Sequence, residues 1–464
     1  MAATLQFVDQ IASSPTVRLN LNDGTTWAGP HEGSSFKPPG LKYAEADTIL
    51  NDGVYISASA YENRTLHLVL DLITNGPDTK ATALRALNTE LNRANNILKY
   101  QPGSTPLFFR TIRTAGYELE ESPADNYTQV TVDIEAEPFA YGLRQDLGTT
   151  TVTRNPAVSN GLYVDVTGVN GDVDTPLFIY STSAQLFSAS NGPALATYIA
   201  RETSPSGGVY VLQGESGTAY TDTTITASGD AAMSNGGYAR TTFATDSTLT
   251  IRWTGSPSAL PPAGDYRVLI RCRRSSLGGQ FTIRQRNVTT SDTVITGPTV
   301  SWTESVALTC TLDLGLITTP VNGATASIGY GAATASPPLT MQIDVGRTAG
   351  TGTFDIDYVL LVPADEQLLT VASAGGTAGL RPLAVIDGPA DAAYGMSSTS
   401  PFSGATVVGQ TVIRAGSIPA VSPGKTTRLH VVTHVASGAI GAPADSITET
   451  LALQLAVWPR YLVV

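Results

Sequence analysis

The sequence predicts a mainly β protein with one long helix. Only 14% of the 464 residues are charged, and 44 Gly and 28 Pro indicate many short strands joined by turns. Between residues 78 and 98, apolar side chains instead recur every three or four positions, which is the spacing of an amphipathic helix. The chain is too long for one hydrophobic core, so we expect several domains.

The helix is predicted within a strand, helix, strand stretch. Residues 66–73 alternate as a strand, and the turn residues 74–77 follow them. Asp78 is the expected N-cap, Lys99 suits the last turn, and residues 107–112 return as a strand. A helix of this extent would be about 30 Å long. Its apolar stripe consists of Leu84, Leu87, Leu91, Ala94 and Leu98.

Residues 1–143 are predicted to form one unit. Residues 55–61 and 66–73 can pair as a hairpin across residues 62–65, and residues 128–136 alternate as a further strand. We expect a small β-sandwich that is covered by the single helix, because an amphipathic helix must bury its apolar stripe against a neighbouring layer.

The strand pattern divides the remaining chain into three segments. Residues 206–365 hold at least eight short strands at regular spacing, which predicts a jelly-roll module. The strand pattern of residues 144–205 is similar to that of residues 366–464. We therefore expect one β domain split by the insertion of residues 206–365, since insertion is tolerated where the ends of the inserted module lie close together.

Charge and motifs exclude several function classes. The formal net charge of −12 argues against nucleic-acid binding, which needs a basic patch. The first residues show no secretory signal pattern, and no apolar run is long enough for membrane insertion. None of the familiar hydrolase, metalloprotease or phosphate-binding motifs is present, so we predict no catalytic residues and no enzyme.

The cysteines and two of the histidines leave alternatives open. Cys272 and Cys310 fall on the apolar phase of strand-like runs, so they are buried thiols or, if their strands are adjacent, a disulfide. His430 and His434 face the same side of a predicted strand, but no third metal ligand accompanies them.

The N-terminal unit resembles the ring-forming domain of siphophage distal tail (Dit-like) proteins. The residues that carry the resemblance are 66–73, the helical run 81–91 and the Leu-Phe-Phe-Arg sequence 107–110. The Trp-Pro-Arg-Tyr-Leu sequence 458–462 also resembles the ends of phage tail structural proteins. The resemblance implies a galectin-like second domain, into which some members of the family insert a carbohydrate-binding module.

The resemblance also implies a function and partners. The N-terminal domain would form a ring, most simply a homohexamer, between the tail tube protein and the tail hub or tip protein. Genome DNA would pass through the ring without specific binding, and the outer module would contact host cell-surface polysaccharide. The protein would then be a virion component of the phage tail tip, made in the host cytoplasm.

Residues 206–365 independently resemble carbohydrate-binding modules of families 6 and 35. The resemblance rests on the run Gly236–Gly237–Tyr238, the run 263–271, Trp302 and the closing run 355–358. It implies a sugar cleft at Tyr238, Trp302 and Asp355, because flat aromatic rings stack on pyranose faces. It also implies a structural calcium held by Glu215 and Asp357, as Ca²⁺ prefers oxygen ligands. Asp355 stands where the family often has asparagine.

Simpler interpretations apply to the same residues. Tyr238 and Trp302 also suit a core or rim position, and Glu215 and Asp357 also suit hydrogen-bonded strand ends. Arg267, Arg271 and Arg273 share one strand face, where they either reach a cleft or form a solvated face that balances nearby acids. The rival function is a secreted or cell-surface carbohydrate-binding protein, or the non-catalytic part of a glycosidase. A third possible function is that of another tail component, such as a tip or side-fibre protein.

Overall fold

The protein is described by a computed structural model, and its chain is mainly β. The residues that the structure describes are 3–47, 54–121, 127–158, 161–181, 195–202, 209–219, 223–226, 229–243, 248–254, 264–275, 277–287, 293–302, 308–319, 339–364, 368–373, 383–396, 407–408, 412–435 and 450–462. Among these residues there is one α-helix, and no helix is long and apolar enough to cross a membrane.

The N-terminal part holds the helix and ten strands. The elements are β1 (Thr4–Val8), β2 (Val17–Asn20), β3 (Trp27–Ala28), β4 (Leu41–Asp47), β5 (Val54–Tyr61), β6 (Arg64–Ile73), α1 (Pro77–Leu91), β7 (Ile97–Gln101), β8 (Leu107–Glu121), β9 (Tyr127–Ala136) and β10 (Ala140–Tyr141). One sheet has the strand order β2-β1-β7-β8-β9-β6-β3, and β10 pairs with β8 at its side. The strands β4 and β5 form a separate two-stranded ribbon.

The predicted hairpin between residues 55–61 and 66–73 is wrong. Strand β5 pairs with β4, whereas β6 pairs with β9 and β3. The predicted alternation of β9 is confirmed, since Val130, Val132 and Ile134 are buried and their neighbours are more exposed. Local alternation predicts a strand but not its partner, because pairing depends on residues far along the chain.

Helix α1 lies on the N-terminal sheet as predicted, but it is shorter than predicted. Gly76 is its N-cap instead of Asp78, and Leu87 and Leu91 are buried in the core shared with the sheet. The helix ends at Leu91, so its length is about 22 Å. Leu98 is fully buried, yet it lies in β7, and the extension of the helical stripe to residue 98 was therefore wrong.

Asparagines explain why the helix ends early. Asn95 has a φ of 53°, a left-handed conformation that asparagine tolerates better than most residues. The buried Asn96 side chain donates a hydrogen bond of 2.8 Å to the Glu90 carbonyl oxygen. The asparagines thus turn the chain and satisfy the end of the helix with side-chain hydrogen bonds, as polar caps do.

The strands from residue 145 to 201 share their sheets with strands from the C-terminal part. The first set is β11 (Gln145–Thr153), β12 (Tyr163–Val166), β13 (Thr175–Pro176), β14 (Phe178–Ser181) and β15 (Leu195–Arg201). The intervening strands are β16 (Tyr210–Gln213), β17 (Thr218–Ala219), β18 (Thr223–Thr226), β19 (Tyr238–Phe243), β20 (Thr248–Thr254), β21 (Gly264–Arg274), β22 (Leu277–Asn287), β23 (Thr293–Trp302), β24 (Leu308–Thr319), β25 (Leu339–Gly350) and β26 (Gly352–Pro363). The closing set is β27 (Leu368–Ser373), β28 (Leu383–Asp387), β29 (Ala392–Met396), β30 (Val407–Val408), β31 (Val412–Gly416), β32 (Ala420–Val421), β33 (Thr427–Val435), β34 (Thr450–Val457) and β35 (Arg460–Tyr461).

The first and closing sets build two main sheets around one core. Their strand orders are β11-β34-β14-β28-β29-β30 and β12-β33-β15-β27-β31. Leu453 from the first sheet and Ile199 from the second are fully buried in the same apolar cluster. We call these two sheets the split unit.

The strands β16 to β26 form two further sheets, and within the part of the chain that the structure describes they pair with no strand of the split unit. Their strand orders are β18-β19-β26-β21-β24, with β16 also on β26, and β17-β20-β25-β22-β23. We call them the middle unit. Its core contains Phe243, Ile270 and Phe354, all fully buried.

The middle unit packs on the split unit through a second apolar cluster. Tyr198 and Val432 of the split unit lie against Leu269, Tyr358 and Leu360 of the middle unit. The Tyr358 hydroxyl also donates to the carbonyl oxygen of Arg154 at 3.1 Å. The two units are thus joined by a packed interface, in addition to the chain connections.

Candidate functional site

Two neighbouring clusters of polar side chains lie in the middle unit, along the first half of β26. Strand β26 is the centre of its sheet, with β19 on one side and β21 on the other. Asp355 pairs in register with Arg240 of β19 and Arg273 of β21. Because neighbouring residues on a strand point to opposite faces, Asp355 and Asp357 share one face of the sheet.

Asp355 is the centre of the first cluster. Its carboxylate accepts hydrogen bonds from Arg240 Nε at 2.6 Å and from Arg273 Nε at 2.8 Å. Asp355 is 1% exposed, so the two guanidinium groups neutralise a charge that would be costly to bury alone. The same hydrogen bonds raise the pKa of Arg240. Asp230 accepts a further bond from Arg273 Nη1 at 2.6 Å.

Tyr238 lies between the same two arginines. The guanidinium carbons of Arg240 and Arg273 are 4.9 Å and 5.3 Å from the centre of its ring, which is the distance of a cation–π contact. Tyr238 is only 8% exposed. In this arrangement the arginines occupy ring surface on which a sugar would have to stack.

Trp302, the other predicted aromatic platform, is the last residue of β23 and pairs with Gly279 of β22. It therefore lies in the second sheet of the middle unit, whereas Tyr238 lies in the first. The Trp302 side chain falls outside the described residues. A cleft shared by Tyr238 and Trp302 stays a prediction.

Glu215 and Asp357 belong to the second cluster. Glu215 lies in the short turn Gly214–Ser216 after β16, and its Oε1 atom accepts a hydrogen bond from Asn235 Nδ2 at 2.9 Å. In the part of the chain that the structure describes, Glu215 Oε2 is buried without a hydrogen-bond partner. Gly237 is needed beside it, because a Cβ atom there would lie 2.7 Å from the Glu215 side chain.

Asp357 is fully buried and has two partners. Its carboxylate pairs with the guanidinium of Arg271 and accepts a hydrogen bond of 2.8 Å from the Ser234 backbone N–H. Burial, with the nearby charge of Glu215, raises the pKa of Asp357 to about 6, against the opposing effect of Arg271.

The predicted calcium ligands Glu215 and Asp357 are thus neighbours. Of the two carboxylates, that of Glu215 has an oxygen atom without a hydrogen-bond partner among the described residues, whereas both oxygens of Asp357 have partners. Ca²⁺ prefers six to eight oxygen ligands, several of them charged. Arg271 already balances the charge of Asp357, and a guanidinium in that position would repel a cation. Among the described residues no group of three or more His, Cys, Asp or Glu side chains is placed to hold a metal ion. A calcium site at Glu215 and Asp357 stays a prediction.

Three of the four arginines of β21 each pair with an aspartate. Arg271 pairs with Asp357 and Arg273 with Asp355 and Asp230, whereas Arg267 donates to Asp313 at 2.6 Å. The interpretation that these arginines balance nearby acids is confirmed. Arg271 is nevertheless 2% exposed, so that part of the strand face is not solvated.

Sequence reasoning missed Arg240 and Asp230 as members of the first cluster. Strand alternation places Arg240 on the same face as Tyr238, two residues earlier, and this spacing was the available signal. No local pattern connects Asp230, in the loop before β19, to Arg273, which lies on β21 43 residues later.

The two predicted histidines lie on β33 as expected. His430 is buried, and its Nε2 atom lies 3.2 Å from Glu202 Oε2. Burial lowers the pKa of His430 although Glu202 opposes this effect. The His434 side chain falls outside the described residues, so a metal pair stays untested.

A separate open groove of about 580 Å³ lies between α1 and β2. The Asp23 carboxylate at its wall accepts bonds from the backbone N–H groups of Thr25, Thr26 and Trp27. That carboxylate therefore stabilises the turn before β3. Burial opposes the effect, but these bonds lower the pKa of Asp23.

Comparisons with known proteins return only distant structural similarities. No family model and no curated protein matches the chain. The SPP1 Dit (gp 19.1) protein, described as a paradigm of the hub adsorption apparatus in phages that infect Gram-positive bacteria, is 12% identical, with a TM-score of 0.30. The match covers 75% of this chain and 100% of that one.

Two baseplate structures match similarly. Both are 8% identical, and each match covers 75% of this chain and 99% of the other. They are the phage P2 baseplate in its activated conformation with Ca, at a TM-score of 0.25, and the phage p2 baseplate in its activated conformation with Sr, at 0.23. A likeness at this level assigns neither a fold nor a function to the chain.

Proposed function

We propose that the chain is a structural protein of a phage tail tip, of the distal tail type. The observation that carries the proposal is the strand, helix, strand stretch. All three segments behind the sequence resemblance lie on one N-terminal sheet, as β6, the helical run within α1 and the start of β8. The helix covers that sheet through Leu87 and Leu91, as the resemblance predicted.

We propose that the split unit is one galectin-like domain, formed by residues 144–205 and 366–464, with residues 206–365 inserted. Support comes from the strand pairing, because β15 pairs with β33 and β27 across the whole middle unit. The middle unit meanwhile has its own two sheets and its own core. This is the connectivity that insertion of a complete module produces.

In the proposed virion, copies of the N-terminal unit form a closed ring, most simply a homohexamer. Head-to-tail contacts between identical subunits close into a ring when the rotation between them is suitable. The ring would join the tail tube protein to the hub or tip protein, and DNA would pass through it. The net charge of −12 favours passage of DNA without binding, since phosphates are not neutralised.

Negative-stain electron microscopy of the purified full chain tests the ring. We expect class averages of a closed ring with a central hole and outward projections from the split and middle units. Particles of single-chain size over a range of concentrations, in a sample that also binds soluble polysaccharide tightly, would contradict the proposal.

The middle unit is the proposed contact with host glycans, through Tyr238, Trp302 and Asp355. Weak sugar contacts gain avidity when a ring repeats them. Affinity electrophoresis in a panel of soluble polysaccharides tests this part. We expect retardation by at least one polysaccharide and roughly a tenfold weaker effect for Trp302→Ala. Tyr43→Ala, an exposed change in β4, is the matched control. No retardation by any polysaccharide, or equal retardation of all variants, would exclude the glycan site.

Calcium binding at Glu215 and Asp357 stays a prediction, supported by the unsatisfied Oε2 atom of Glu215. A bound cation would have to displace Arg271 from Asp357. If Ca²⁺ binds there, it raises the melting temperature of the wild type over that in chelator, and Glu215→Gln removes the increase. Glu62→Gln serves as the control. An unchanged melting temperature would exclude the site.

The second candidate is a secreted or cell-surface carbohydrate-binding protein, or the non-catalytic part of a glycosidase. The separate sheets and separate core of the middle unit favour this candidate. Tight polysaccharide binding by a monomer distinguishes it from the ring protein.

A further inference from the structure

Two cysteines face each other across adjacent strands of the middle unit. Strands β21 and β24 are antiparallel, and Cys272 lies directly opposite Cys310 in their register. Their Sγ atoms are 3.9 Å apart, and the residues are 0% and 1% exposed. The structure holds both side chains as thiols within the core of the unit.

Only a small movement of the two cysteines is needed to form a disulfide. Opposite residues in an antiparallel pair have Cβ atoms about 4.5–5.5 Å apart, whereas a disulfide needs about 3.8 Å, with its sulfurs near 2.05 Å. A small approach of the strands and rotation of both side chains would close the gap. Among the described residues of this sheet, β24 is the edge strand and pairs with β21 alone, so it can move toward β21 without breaking a described ladder on its other side.

We propose that Cys272 and Cys310 form a reversible cross-strand disulfide when the protein meets a low-molecular-weight disulfide such as oxidised glutathione. One cysteine thiolate attacks a glutathione sulfur, which forms a mixed disulfide and releases one glutathione thiolate. The second cysteine thiolate then attacks the protein sulfur of that mixed disulfide and releases the second glutathione. The protein loses two protons and two electrons, and the glutathione disulfide is reduced to two thiols.

Burial determines when the reaction occurs. It raises the pKa of Cys272, so the thiolate that must attack is scarce while the strands are closed. The first step therefore requires a transient opening of the β24 edge, or it occurs while the unit folds. A disulfide that draws opposite strands together is strained, and strain makes it easier to reduce.

The disulfide would also strengthen the attachment of the middle unit. Arg267 on β21 and Asp313 on β24 form an ion pair at 2.6 Å, and the Tyr198 hydroxyl of the split unit donates to Asp313 at 2.5 Å. The two strands that the disulfide joins are therefore those that hold this contact. Oxidation would limit the opening of β24 and the loss of the contact with it.

Alkylation and intact mass of the full chain test the proposal. Reduced protein is treated with oxidised glutathione, once in the folded state and once during refolding from urea, and is then denatured and alkylated. We expect reduced protein to take two alkyl groups and oxidised protein none, with a mass about 2 Da lower from the two lost hydrogens. A peptide linked through residues 272 and 310 should appear in a non-reducing digest.

Single variants are the controls. Cys272→Ala and Cys310→Ala should each take one alkyl group or one glutathione. The oxidised wild type should melt roughly 5 °C or more above the reduced form, a difference absent from the double alanine variant. Two alkylated cysteines after both oxidation protocols, or disulfides found only between copies, would overturn the proposal. An unchanged melting temperature would overturn the stabilising effect.

Discussion

Buried charged pairs dominate the residue scale of the middle unit. Asp357 and Arg271 are 0% and 2% exposed. The opposite charge of each offsets the free-energy cost of burying the other. Removing one partner of a buried pair leaves an uncompensated charge, and this loss greatly exceeds the effect of breaking an exposed pair. The middle unit should therefore be sensitive to substitution at this pair.

We expect Arg271→Met to destabilise the protein by about 3–5 kcal/mol, since Asp357 would stay buried without its cation. Arg113→Met is the matched control, because Arg113 pairs with Glu135 at the surface with 76% of its side chain exposed. The control should cost less than about 1 kcal/mol. Urea unfolding, with hydrogen exchange of β26 peptides, measures both. Equal losses would show that the buried pair has no special weight.

The stability of the protein should depend on pH through Asp313, whose pKa is lowered whereas that of Asp357 is raised. Burial alone would raise its pKa, but hydrogen bonds from Arg267 and Tyr198 outweigh burial and hold the pKa below the usual value. Its charged form therefore stabilises the folded state above the unfolded pKa of about 3.9. That stability is lost as the pH falls through the lower folded pKa.

Asp313→Asn should accordingly lower the free energy of unfolding at pH 7 by about 1–3 kcal/mol. The difference from wild type should narrow as the pH falls below about 4. Asp146→Asn, a change at a half-exposed side chain, should show little difference at either pH. Thermal unfolding across pH 3–7 is the measurement. A constant difference over that range would contradict the assigned role of Asp313.

At the scale of elements, the turn Gly214–Ser216 positions Glu215 between β19 and β26. A Cβ atom on Gly214 would lie 2.1 Å from the Ile356 carbonyl oxygen, a distance that real Cβ contacts do not reach. The backbone of this turn therefore lies so close to β26 that only glycine fits.

Gly214→Ala should destabilise the protein by about 1–3 kcal/mol, because the turn would have to move away from β26. Gly103→Ala is the control, since a Cβ atom there would meet nothing within 4 Å. We expect it to change stability by less than about 0.5 kcal/mol. Urea unfolding of both variants decides. Similar effects at the two glycines would contradict the close approach.

The elements also show what the sequence could predict. Alternation correctly predicted β6 and β9. Buried and more exposed residues alternate along β9, whereas residues 68–72 of β6 are buried on both faces of the strand. The spacing of leucines at three to four residues wrongly extended the predicted helix to Leu98. A buried leucine in a strand can lie at a helical spacing from earlier leucines by chance. The pairing of β5 with β4 depends on contacts that no local pattern contains.

The candidate site was predicted less completely than the fold. Glu215 and Asp357 were expected to be neighbours, and Coulombic repulsion between them contributes to the raised pKa of Asp357. The partner of Asp357 was not predictable, because Arg271 reaches it from another strand 86 residues earlier in the chain. Whether a carboxylate binds a metal ion or an arginine depends on such long-range placement.

At the scale of the whole molecule, the C-terminal segment fastens the split unit to the N-terminal unit. Strand β35 pairs with β10, and Arg64 donates to the carbonyl oxygen of Leu462 at 3.0 Å. Trp458 packs against Phe178 of the split unit, with ring centres 5.5 Å apart, and against the N-terminal cluster of Phe108 and Tyr141. One aromatic side chain therefore bridges two units.

Trp458→Ala should uncouple these two units. We expect a loss of about 2–4 kcal/mol and two separated thermal transitions where the wild type shows coupled unfolding. Val158→Ala, at an exposed position in the split unit, is the control and should leave the calorimetric profile unchanged. An unaltered profile for Trp458→Ala would show that the bridge does not couple the units.

Native mass spectrometry of the purified full chain tests most directly whether the chain forms a ring. We expect one dominant assembly of about six copies, since identical head-to-tail contacts close into a ring with a defined number of subunits. A protein that stays monomeric at all concentrations and binds soluble polysaccharide tightly would contradict the account and favour a free carbohydrate-binding protein.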